Sequence, residues 1–202
     1  RLCRDWSSDV CSSDLMTWFD AICHAFSAVA LGGFSTHDAS VGYFHSPAIE
    51  LVLVILMLVA SVNFARHFAA LRRLSLKPYR HDPELKAAAI LIGASIVFVA
   101  GLLTWHGVYP TFGTSLRYAL FNVVSLATTT GWTTAGAAGF TTWPVFAPIW
   151  MLFLSGIACS TGSTGSGIKM FRTLVLARQA GRELKVLVHP DRKSVVEGNS
   201  LF

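Results

Sequence analysis

Charge is the scarcest commodity in this sequence. Only 13% of its 202 residues are Asp, Glu, Lys or Arg, about half the share of an ordinary soluble domain. The four cysteines, Cys3, Cys11, Cys23 and Cys159, form no CxxC pair. They sit near no histidine at metal-ligand spacing, so neither a disulfide framework nor a zinc site is indicated. No secretory signal opens the chain. The apolar fraction is 53% and the mean hydropathy +0.54, which points to a membrane protein. A net charge of +5 then reads as basic loops on the cytoplasmic side rather than as a surface for nucleic acid.

The two ends differ from the middle. Residues 1–15 are polar and rich in Ser and Asp, and residues 191–202 continue no pattern. Both are expected to be either a cloning or assembly artefact or disordered tails. The chain between them then reads as a piece of something longer.

Long apolar runs are also fewer than the composition suggests. Residues 17–29 have helical spacing but are too short to cross about 30 Å of hydrocarbon. They stop at Ala30-Leu31-Gly32-Gly33. Residues 47–65 make a good span, opened by Pro47 and carrying one charge, Glu50. The loop 66–86 holds Arg66, Arg72, Arg73, Lys77, Arg80 and Lys86, which places it in the cytoplasm. A second span covers 87–109, with Trp105 and Tyr109 at the far end. Residues 114–127 are again too short to span, and stop at Thr128-Thr129-Thr130-Gly131. A last apolar span starts at Pro144, is broken over Ala158–Gly167, and resumes at Ile168 before Arg172, Arg178, Arg182 and Lys185. Between Tyr109 and Pro144 the only basic residue is Arg117, as expected of an outer face.

Sliding the sequence on itself by 98 residues places Ser27 on Ser125, Gly33 on Gly131, Phe34 on Trp132 and Thr36 on Thr134. Both halves follow one order: short helix, glycine-bearing turn, polar outer segment, proline-opened span. A short helix and a turn that does not cross make a re-entrant loop. Irregular backbone survives at membrane depth only where it is buried in protein or lines a watery path. Carbonyls freed at Ala30, Leu31, Gly32 and Gly33, and at Thr128, Thr129, Thr130 and Gly131, are suited to replacing the water shell of a monovalent cation. The negative end of each short helix would face the same ion. Threonine hydroxyls could add a ligand or brace the turn from behind.

Three strings now carry a resemblance: GGFSTHDASVGYF, VVSLA followed by TTTGW, and GSTGSGIK followed by RELKVLVHP. In this order they resemble the Trk/Ktr potassium transporters, nearest the TrkH/TrkG membrane subunit, over roughly residues 16–190. The resemblance implies an all-α membrane protein of membrane-pore-membrane repeats with short re-entrant pore helices. Residues 16–65 would be the pore loop and second helix of one repeat, and 87–190 a complete further repeat with a broken last helix. It implies a potassium filter built from such loops, and an intramembrane gating loop that includes Gly162, Gly165, Gly167 and Lys169. It also implies a multi-pass subunit of a bacterial inner membrane, with no cofactor and potassium as the transported ion. Its partners would be membrane lipid, a second copy in a homodimer, and a cytoplasmic nucleotide-binding regulatory subunit (TrkA-like), with no nucleic acid. Two positions depart from the family pattern: Ser166 replaces a glycine, and Trp132 a Phe or Tyr.

Other readings compete. The glycine turns could be notches for close helix packing. Gly162 and Gly167 have phosphate-loop spacing, but Ile168-Lys169-Met170 follows where Lys-Ser/Thr is required, and a helix rather than a strand precedes. His37, Asp38 and Cys159 could belong to a membrane-embedded enzyme, although no nucleophile is placed beside the pair. Another monovalent-cation channel or a sodium-coupled carrier would share the architecture.

Overall fold

A computed structural model describes residues 16–75, 77–80, 82–134 and 139–188. The sequence expectations for 1–15 and 191–202 fall outside the described residues. The described residues are helical, with two short 3-10 turns at Ser40–Phe44 and Gly139–Thr142. The helices are α1 Trp18–Ala30, α2 Pro47–Ala60, α3 Phe64–Arg73, α4 Lys77–Arg80, α5 Pro83–Trp105, α6 Phe112–Ala127, α7 Phe146–Ile157 and α8 Met170–Val188.

Helix α5 is the one described helix that is long and apolar enough alone to cross a membrane. Its 23 residues reach about 35 Å at 1.5 Å per residue. It starts four residues earlier than the 87–109 expectation because Asp82 caps it. The Asp82 carboxylate accepts the Glu84 amide at 3.0 Å, and Pro83 occupies the first turn, where its missing N–H costs nothing. Along α5, Ala88, Ile92, Ser95, Val99 and Leu103 form the buried stripe, while Ile90, Val97 and Phe98 stay exposed. A helix apolar on every side suits hydrocarbon on its outer faces.

The span expected over 47–65 is corrected. Helix α2 ends at Ala60, and the chain turns by 93° into α3. Ser61 and Asn63 alternate here with the apolar Val62 and Phe64, so the apolar run does not visibly end at the corner. The turn is made by polar groups: the Ser61 hydroxyl donates to the Leu58 carbonyl at 2.8 Å, and Asn63 caps α3 by accepting the Ala65 amide at 2.8 Å. The loop expected over 66–86 therefore contains most of α3 and all of α4.

Packing follows the repeat. Helix α1 packs on α2, α6 on α5 and α7, and α2 meets α6 to join the two units. The shared core includes Val54, Met57, Leu103, Phe121, Val124, Trp132, Met151 and Leu154. Across the join, Arg117 of α6 donates from Nε and Nη2 to the two oxygens of Glu50 on α2, at 2.8 and 2.7 Å. The sequence's isolated outer cation and the lone charge of α2 are thus partners. These contacts suspend α1 and α6, with their ends converging on one irregular region.

Candidate functional site

Both short helices open and close in the same way. Thr17 caps α1 by accepting the Asp20 amide, and Thr111 caps α6 by accepting the Thr114 amide. At the other end the backbone turns back on itself. The Leu31 amide donates to Ala28 and the Gly32 amide to Ser27; 98 residues on, the Thr129 amide donates to Leu126 and the Thr130 amide to Ser125. Left-handed φ values occur at Leu31 (52°) and Gly33 (71°), and again at Thr129 (62°) and Gly131 (88°). The repeat read from a few identities therefore holds for backbone bonds and dihedrals alike. Only glycine takes this region freely; Leu31 and the β-branched Thr129 are strained there, as backbone at functional sites often is.

The turns consume amides and spare carbonyls. Among the described residues, no hydrogen bond reaches the carbonyl oxygens of Ala30–Gly33 or Thr128–Gly131. Their neighbours are all engaged. Val29 accepts from the Thr164 hydroxyl at 3.1 Å, Phe34 from the Trp132 indole at 3.1 Å, Ala127 from the Cys159 thiol at 3.6 Å, and Trp132 from the Ser125 hydroxyl at 2.7 Å. Leu31, Thr128 and Thr130 are buried, where a carbonyl is normally paired, so their free oxygens stand out; Ala30, Gly32 and Gly131 are exposed. The loops also touch: a methyl group on Gly33 would overlap the Thr130 carbonyl oxygen.

The threonine hydroxyls brace the turn. Thr128 Oγ1 donates to the Val124 carbonyl at 2.9 Å and lies 2.9 Å from Thr130 Oγ1. Side chains absent from the sequence reading hold the loops from behind. His24 lies against the Asp20 carbonyl through Nδ1 (2.8 Å) and against Ser35 Oγ through Nε2 (3.1 Å). Its repeat mate Asn122 donates to the Tyr118 carbonyl at 2.8 Å and bonds Thr134 at 3.1 Å. The 98-residue offset aligns His24 with Asn122, so polar residues matched by the repeat were the available signal. Asp20 gathers the Thr17 and Thr36 hydroxyls, each at 2.6 Å. Burial pushes its carboxyl up, but those hydrogen bonds and His37 together hold it below its ordinary value. Trp132, fully buried, makes through its indole a bond to the Phe34 carbonyl that a Phe could not make.

The break between α7 and α8 sits on both turns. Besides the Thr164 bond to Val29, the Ser166 amide donates to Thr129 Oγ1 at 3.0 Å. Lys169 donates its ammonium to the Gly165 carbonyl, and Gly165 packs against Cys159 and the Thr128 carbonyl with no room for a Cβ. Left-handed φ at Gly162, Gly167 and Lys169 keeps the stretch from continuing as helix. The α2–α3 corner supports it from the far side, where the Phe64 amide donates to Gly162 and the Ser160 amide to Ser61. A cavity of about 310 Å³ lies between turn and break, lined by Leu126, Thr129, Gly131, Ser155, Gly156, Ser166 and Gly167.

No cluster of three or more His, Cys, Asp or Glu that could hold a metal occurs among the described residues. His37 stacks on Tyr43 and faces Asp20 at 3.6 Å rather than pairing with Asp38. The donors gathered here are carbonyl oxygens, which suit a hard monovalent cation better than covalent chemistry.

The family model described as TrkH, cation transport protein, matches residues 2–201. The Trk system potassium uptake protein TrkH of Salmonella typhimurium is 46% identical over 177 residues, covering 87% of this chain and 36% of that protein. TrkG of Escherichia coli is 37% identical over 176 residues, covering 87% and 35%. The crystal structure of the potassium transporter TrkH from Vibrio parahaemolyticus superposes with a TM-score of 0.82 at 46% identity, covering 87% of this chain and 37% of that one. This chain therefore spans a little over a third of the length of these relatives.

Proposed function

The chain belongs to the TrkH family of cation transport proteins, and from that premise we propose that it contributes two quarters of a potassium-selective pathway in a bacterial inner membrane. The named relatives are potassium uptake proteins, so the action is ion transfer rather than covalent conversion of a substrate. The observation that carries the site assignment is the paired set of free carbonyls, Ala30–Gly33 and Thr128–Gly131, on two turns whose amides all point back into their helices or make no bond outward. Such oxygens can replace a hydration shell. The helix ends behind them add negative potential.

The stretch Ala158–Lys169 is the gate of this pathway. Its glycines bend it beneath both turns, and its hydrogen bonds toward them, from Cys159, Thr164 and Ser166, are single and neutral, weak enough to exchange. Lys169, tied to the Gly165 carbonyl, keeps a positive charge beside the path. The exposed basic residues of α8, Arg172, Arg178, Arg182 and Lys185, suit a cytoplasmic regulatory subunit that binds nucleotide, and a second copy of the full-length protein completes the assembly. Rubidium uptake by the full-length protein tests the reading. Gly131→Asp should abolish uptake while the protein still reaches the membrane; unaltered uptake sinks the filter assignment. Sodium competing as well as potassium would favour a pathway for another cation.

A further inference from the structure

We propose that Glu84 is a positioning residue for the break between α7 and α8, and that its carboxylate is the pivot on which the stretch turns. The proposal rests on the gate reading above. Glu84 lies in the first turn of α5 and is only 7% exposed. Its Oε1 accepts the Thr161 amide at 2.6 Å and the Phe171 amide at 3.2 Å. One donor lies within the irregular stretch and the other in the first turn of α8, ten residues apart. A single oxygen on a distant helix therefore ties the middle of the break to the start of α8.

The chemistry favours this arrangement. Phe171 belongs to the first turn of α8, where amides have no partner inside the helix and negative charge is stabilised. The Thr161 amide lies in irregular backbone and needs an acceptor of its own. Glu84 satisfies both, through bonds to an ionised acceptor that are roughly twice as strong as neutral ones. Its base is fixed as well. Asp82 accepts the Glu84 amide and pairs with Arg66 of α3 at 3.2 Å, and α5 is the continuous span of the described fold.

The stretch is thus held unequally. Toward α5 it has two charge-assisted bonds. Toward the pore turns it has the neutral bonds Cys159 to Ala127, Thr164 to Val29 and Ser166 to Thr129. A displacement that opens the cavity breaks these neutral bonds first and leaves Glu84 as the hinge point. Removing the carboxylate frees the Thr161 and Phe171 amides at once and leaves the stretch to its bonds with the α2–α3 corner.

The experiment uses the full-length protein in lipid vesicles, with Cys159 as the sole reactive cysteine. Cys159 is buried within the stretch, so the rate at which a water-soluble maleimide labels it reports release. Glu84→Ala should raise that rate tenfold or more and change rubidium uptake severalfold, with the preference for potassium over sodium retained. Glu84→Gln, which keeps an acceptor oxygen, should fall between Glu84→Ala and the parent, and it carries the test alone if Glu84→Ala does not insert. Labelling no faster than the parent in either variant overturns the pivot. Loss of selectivity in step with lost thermal stability also overturns it, because that pattern marks a general structural role. Faster labelling with unaltered uptake upholds the pivot and overturns the gate assignment instead.

Discussion

Gly33 and Gly131 occupy matching places in the repeat, yet alanine should damage them unequally. Both have left-handed φ, 71° and 88°, where a Cβ costs about 1–2 kcal/mol. At tenfold per 1.4 kcal/mol, strain alone shifts the turn's population by roughly 5- to 30-fold. At Gly131 that is the whole effect, since nothing lies within 4 Å of the added methyl. At Gly33 the methyl overlaps the Thr130 carbonyl oxygen, which must retreat by a distance on the order of 1 Å; misplacements of that size cost about a hundredfold where convergent geometry matters. Gly33→Ala should therefore lower initial rubidium uptake about a hundredfold, and Gly131→Ala roughly 5- to 30-fold, in the full-length protein at equal membrane abundance. Gly33→Ala should also erode potassium over sodium preference, because it moves an oxygen of the other loop. Equal effects, or a larger loss from Gly131→Ala, would refute the contact between the turns.

Further outcomes follow from the other contacts. Thr129→Val removes the acceptor for the Ser166 amide while keeping the β-branch, so the break should loosen and uptake rise with selectivity retained; unaltered uptake would show that this bond does not restrain the stretch. Glu50→Ala leaves Arg117 unpaired. Breaking a buried pair costs about 3–5 kcal/mol, and because the Arg117 side chain is 36% exposed the loss here should be nearer 2 kcal/mol. It is read as thermal stability in detergent, with the double variant Glu50→Leu, Arg117→Met recovering most of it. Asp20 has a folded value below its ordinary 3.8, so its contribution is fully present above that pH and is lost as pH falls through the folded value. The stability gap between the parent and Asp20→Asn should be flat above about pH 4 and close only in stronger acid.

The sequence made some of this legible and hid the rest for definite reasons. Glycine and hydroxyl residues interrupting apolar helices show where backbone leaves the helix, so the turns at Gly33 and Gly131 and the break at 158–167 could be placed. The repeat gave their pairing. The strained φ values at Leu31 and Thr129 could not be read, because neither residue type favours that region and only the flanking bonds impose it. The corner after Ala60 was masked because the polar Ser61 and Asn63 that make it alternate with the apolar Val62 and Phe64. Glu84 looked like one more charge in a polar loop, because its partners lie 77 and 87 residues away. The repeat also overstates symmetry. The Ser125 hydroxyl donates to the Trp132 carbonyl, whereas among the described residues the Ser27 hydroxyl has no partner and the corresponding Phe34 carbonyl takes the Trp132 indole instead. Trp132 is buried while its mate Phe34 is 81% exposed, so the two quarters are related in backbone and distinct in surroundings.

The central claim is that backbone oxygens of the two turns hold the ion. Anomalous diffraction from crystals of the full-length protein grown in rubidium tests it most directly. Rubidium peaks should lie between the carbonyls of Ala30–Gly33 and Thr128–Gly131, on the side away from the amides and from the threonine hydroxyls. Peaks absent from that position, or ligated by threonine Oγ1 atoms or the Asp20 carboxylate instead, would contradict it.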